Sequence, residues 1–167
     1  MPLDLVVFLI QFTIGVIVYG VHSKLFFLPW LKKLPRQRAL MLVTIPHTAR
    51  FMGLFALTQA AYNSEISQVW ANSTAYGDLA TMILAIVALL ALNANSSSAI
   101  PVTWLCHLVG VYAFLDSTIK IFTTHLPVHL LMAGWFLPTL YVPLLFWAHI
   151  FAFRWLISPP AGKPSVK

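Results

Sequence analysis

Charge is what this sequence has least of. Only 8% of its 167 residues are charged, and just four are acids: Asp4, Glu65, Asp78 and Asp116. A water-facing surface takes about a quarter of residues charged, so the composition excludes an ordinary soluble domain. Cys106 is the one cysteine, which excludes an intramolecular disulfide and any multi-cysteine metal site. Within an apolar run it reads as a small buried hydrophobe. Also missing are a Ser nucleophile elbow, a paired carboxylate, an HExxH helix and a phosphate-binding Gly loop, so nothing assigns a reaction.

What is present is hydrocarbon: 60% of the residues are apolar. At roughly 20 residues per crossing the chain has room for one bundle of four to six spans and no second soluble domain. The apolar runs predict an all-α, polytopic transmembrane helix bundle of about five spans. These lie near Leu3–Val21, Leu40–Tyr62, Leu79–Leu92, Val102–Phe122 and Leu130–Ile157. The first starts without a basic leader and is expected to be retained. Residues 1–157 form the bundle, and the Pro-rich stretch 158–167 is expected to be a disordered cytoplasmic tail.

The net charge of +6 is concentrated. Five of the ten Lys and Arg fall between Lys24 and Arg38, mixed with Phe26, Phe27 and Trp30. Cations beside a span mark a cytoplasmic loop and meet anionic lipid headgroups rather than nucleic acid. Residues 22–38 suit a short segment lying in the membrane interface. The stretch from Asn63 to Asp78 carries Glu65 and Asp78 but no Lys or Arg, as an outer loop should. The N-terminus is thereby placed outside and the C-terminus in the cytoplasm. Asp78, just before the third apolar run, is expected to cap a helix N-terminus.

The second span carries His47 and Arg50 deep within its apolar run, and ionisable groups at that depth require a partner or water. At 100° per residue Thr44, His47, Arg50, Thr58 and Tyr62 fall within about 60° of the His47 direction. On the fourth span Tyr112, Asp116 and Lys120 are four residues apart and share a face. Asp116 is the acid placed well within a span, so it is expected to pair with Arg50 across the bundle or with Lys120 one turn away.

Counted from the cytoplasmic ends, His47, His107 and His149 lie at similar depth. Histidines on different helices are the geometry that bis-His ligation of haem b or a divalent metal requires. His107 stands nine residues, about half a rotation, from Asp116. If Asp116 faces Arg50, His107 faces elsewhere, and His47 with His149 is the candidate pair. Pro138 and Pro143 are expected to open the last helix, freeing the carbonyls of Gly134 and Thr139. His125 and His129 sit at the interface, where solvation satisfies them.

TIPHTARFMGLFAL, the AYGD before the third span and FLPTLYVPLLFWAH in the last resemble a set of small uncharacterised bacterial polytopic membrane proteins. That resemblance implies a bacterial inner-membrane location and no activity. Three readings stand. One is a buried polar site of His47, Arg50, Asp116, His149, Tyr112 and Thr58 that binds or transports a proton, anion or small polar ligand. Another is a haem- or quinone-associated electron-transfer anchor using His47 and His149. The third is a structural subunit of a larger complex, or a homo-oligomer.

Overall fold

A computed structural model describes residues 2–157, and every regular element among them is helical. The tail expected over 158–167 lies outside the described residues. Among the described residues five helices are long and apolar enough to cross a membrane. They are α1 Leu3–Leu31, α2 Arg36–Tyr62, α3 Gln68–Asn93, α4 Ala99–Thr123 and α5 Leu137–Ile157. The number follows the hydropathy runs, but several boundaries do not.

The first helix is 29 residues long because it does not stop at the basic stretch. Ser23–Phe27 widens into a π turn, and Leu28–Leu31 resumes the α form. Pro29 supplies the reason: it has no N–H to donate, and its ring presses on the carbonyl four residues back, which a wider turn relieves. The first part of 22–38 therefore continues α1 instead of forming a separate segment in the interface plane.

The third helix begins at Gln68, not after Asp78. Ser67 is its N-cap, its hydroxyl accepting the Trp70 N–H at 3.4 Å. Asp78 thus lies in the helix interior, correcting its reading as a cap. The residues that broke the apolar run are paired sideways with α4: Ser73 donates to Asp116, and the Thr74 and Ser117 hydroxyls meet at 2.7 Å. Small residues let these two helices approach closely. Ala85 and Ala88 of α3 pack with Cys106 of α4, all three fully buried.

The last helix packs on the first, second and fourth. Its start is another π turn, Leu137–Tyr141, again two residues ahead of a proline, Pro143. The Thr139 carbonyl, which Pro143 leaves without its helical donor, lies against Gly15 of α1. A side chain at Gly15 would put its Cβ 2.8 Å from that oxygen. Toward the other end of the described part of α5, Arg36 donates to the Trp155 and Leu156 carbonyls at 2.8 and 2.7 Å.

The outer surface is apolar. Ile10, Ile14 and Ile17 on α1, with Leu108, Leu115 and Ile119 on α4, are each more than half exposed. The buried side of α4 carries Thr103, Cys106, His107, Gly110 and Ala113 instead. Polar groups inside and hydrocarbon outside is the distribution a bilayer imposes.

Candidate functional site

The site is organised by a local departure from α geometry. Ile45–Leu54, in the middle of α2, is a 3-10 helix of ten residues, where runs beyond three or four are uncommon. Its causes are local. Pro46 removes a backbone donor, while the Thr44 and Thr48 hydroxyls take up the Leu40 and Ile45 carbonyls at 2.8 Å each. The Tyr141 hydroxyl pins the segment from α5 by donating to the Pro46 carbonyl at 2.5 Å.

With three residues per turn, residues i and i+3 stand one above the other. Thr44, His47 and Arg50 are thereby stacked on one inward face, with exposures of 0, 0 and 3%. The same rotation removes two residues expected on that stripe. The seven steps from His47 to Leu54 at the tighter pitch carry Thr58 to about 160° from the His47 direction, and Tyr62 by a similar angle. Thr58 is exposed, and Tyr62 is 89% exposed.

Arg50 does not pair with Asp116. Its Nη1 donates to Asp78 Oδ1 at 2.6 Å, which the longer α3 brings to its level. Asp116 is instead held by Lys120 one turn along, at 2.5 Å, and by Ser73. Tyr112 is 70% exposed, in line with the outward Leu108, Leu115 and Ile119. Asp116, Tyr112 and Thr58 therefore stand outside the centre that contains His47, Arg50 and His149.

The centre contains two residues expected elsewhere, Asp78 and His107. His107 is half a rotation from Asp116, as the spacing requires, but with Asp116 on the outer side it is His107 that points inward. His47, His107 and His149 are buried on three different helices, each offering a ring nitrogen within 4.8 Å of the others.

Their hydrogen bonds have a single sense. The Thr44 hydroxyl gives its proton to Leu40 and so accepts from His107 Nε2 at 3.2 Å. His107 Nδ1 must then accept from His149 Nδ1, 2.9 Å away, and His149 Nε2 accepts from Arg50 Nη2 at 3.2 Å. Two neutral imidazoles satisfy the sequence from Arg50 to Thr44. His47 is outside it: among the described residues neither of its ring nitrogens has a hydrogen-bond partner, and Arg50 Nε also has none.

Arg50 and Asp78 form the polar end of a cavity of about 180 Å³, whose walls are mainly apolar and include Phe12, Phe55, Phe114 and Leu145. A second cavity of about 170 Å³ reaches Arg50 and His149 between α4 and α5. Axial haem ligands stand on opposite faces of a macrocycle. The His47 and His149 rings, with centroids 4.3 Å apart, leave no slot for one, so this pair does not fit bis-His haem ligation. At the far end of the bundle His129 Nδ1 meets Asp4 Oδ2 at 2.9 Å.

Two signals pointed to the missed residues. An apolar run of only 14 residues is too short for a span, so the third helix had to extend beyond it, and extension toward its N-terminus takes in Asp78. The equal depth of the three histidines favoured a triad, whereas assigning Arg50 to Asp116 turned His107 away. A family model described as Domain of unknown function (DUF8737) matches residues 7–157. No curated protein and no solved structure matches the chain.

Proposed function

The chain belongs to the family described as Domain of unknown function (DUF8737), and we propose that it is an integral membrane protein that binds a small amphipathic molecule from the bilayer. The molecule has an apolar body and an uncharged head that accepts hydrogen bonds. The carrying observation is Arg50: it is 3% exposed, lines a largely apolar cavity, and keeps an Nε–H without a partner. An unmet buried donor costs about 1–3 kcal/mol, and an acceptor entering the cavity removes that cost.

The surroundings select the head group. Asp78 already balances the Arg50 charge, which favours a neutral acceptor, such as a quinone-type carbonyl, over an anion. Binding is favoured over proton conduction by the ends of the hydrogen-bonded sequence. Arg50 does not release its proton, and the Leu40 carbonyl can take none onward. The five Lys and Arg between Lys24 and Arg38 support a cytoplasmic α1–α2 end in contact with anionic headgroups, and hence an external N-terminus. The sequence resemblance supports the bacterial inner membrane.

The test compares amphiphiles extracted from the protein purified in mild detergent with those from Thr118→Trp, which fills the cavity from its α4 wall. The expected result is one compound held stoichiometrically by the wild type and lost from the folded variant. The same extract from both proteins, or none from either, would refute this reading.

A further inference from the structure

The geometry points to a second site beside the cavity: His47, His107 and His149 together bind one late first-row transition-metal ion, of the zinc or copper class. The three rings come from α2, α4 and α5, and all are buried. Their offered nitrogens lie within 4.8 Å of one another. Two imidazoles on one tetrahedral ion, with metal–nitrogen bonds of about 2.0–2.1 Å, place their nitrogens about 3.3 Å apart. His107 Nδ1 and His149 Nδ1 are already at 2.9 Å, so ligation asks that pair to open by a few tenths of an ångström and His47 to close toward it.

His47 is the independent sign that the cluster is a ligand set and not only a packed core. It is fully buried, its ring sits 4.3 Å from that of His149 and 4.9 Å from that of His107, and both its nitrogens lack a partner. A core histidine is ordinarily bonded at one nitrogen at least. Among the described residues the metal-binding cluster contains no carboxylate or thiolate. Neutral imidazoles alone suit zinc, copper or nickel and not magnesium, calcium or manganese. Three protein ligands leave one coordination position for an exogenous group.

The neighbours already orient the ligands. Thr44 accepts the His107 Nε2–H and so directs the Nδ1 lone pair toward the metal position. Ligation displaces the proton shared by the two Nδ1 atoms; it passes to His149 Nε2, and both imidazoles stay neutral. Arg50 Nη2 then faces a donor and turns to the Gly110 carbonyl, already 3.3 Å away. Asp78 keeps the guanidinium charge balanced against the ion. Because Arg50 also lines the cavity, the metal and the cavity's occupant are coupled through one side chain.

The probe is Co²⁺, added to the full chain purified in detergent and stripped with chelator. The readouts are its visible ligand-field spectrum and the bound metal per chain after dialysis, with Zn²⁺ as competitor. We expect one ion per chain with a low-coordinate spectrum, bleached by Zn²⁺. Binding is lost in His47→Ala, His107→Ala and His149→Ala, kept in His129→Ala, and weakened ~10-fold or more in Thr44→Val. Substoichiometric binding by the wild type, or binding unchanged in the three alanine variants, overturns the inference. If a variant does not fold, X-ray absorption of Zn²⁺ on the wild type decides. Three imidazole shells uphold the site, and an oxygen-only shell overturns it.

Discussion

Among the described residues the bundle has two pairs that join a Lys or Arg to an Asp, and they are unlike. Arg50–Asp78 joins α2 to α3, with side chains 3% and 23% exposed. Lys120–Asp116 lies within α4, four residues apart, with side chains 26% and 27% exposed. Loss of Asp78 from the first leaves the Arg50 charge in a low-dielectric interior, whereas both members of the second are partly exposed on the surface of the bundle. The teaching is that the position of the acid on the folded helix, not its distance along the chain, decides which pair becomes part of a site.

Breaking the inner pair is expected to have the largest effect. Asp78→Ala leaves Arg50 buried and unpaired, and should cost about 3–5 kcal/mol, read as a lowered unfolding midpoint in mixed micelles. Replacing both partners with apolar residues, in Arg50→Met with Asp78→Leu, should recover most of that loss. If the double variant is as unstable as the single one, desolvated charge is not the cause.

Gly110→Ala probes the same centre from α4. Its new Cβ would stand 2.7 Å from His149 Cε1 and 2.9 Å from Thr81 Cγ2. Overpacking of this kind costs about 1–3 kcal/mol, and here it should also displace His149, so that stability and Co²⁺ binding fall together. Lys120→Ala should show the smallest effect, about 0.3–0.5 kcal/mol, because Asp116 keeps its bond from Ser73. A loss as large as that of Asp78→Ala would erase the distinction between the pairs.

Much of the fold was legible beforehand, since crossing a membrane depends on local sums of hydropathy. The deep positions of His47, Arg50 and His149 were legible for the same reason. Helix phase was not. The stripe drawn at 100° per residue carried Thr58 and Tyr62 inward with His47, and ten residues of 3-10 geometry turned both outward. Asp78 reads as a cap because the strictly apolar run starts just after it, yet the helix begins at Gln68, and Ser73 and Thr74 within it bond across to α4.

By itself the sequence determined the class of protein, the number of long apolar helices and the residues whose burial demands explanation. These follow from composition and from the cost of placing ionisable groups in hydrocarbon. Only the tertiary structure decided that Arg50 meets Asp78 and that His107 joins His47 and His149. Such contacts depend on the rotation and offset of whole helices, which the 3-10 stretch at Pro46, the π turn before Pro143 and the close packing of small residues between α3 and α4 set together.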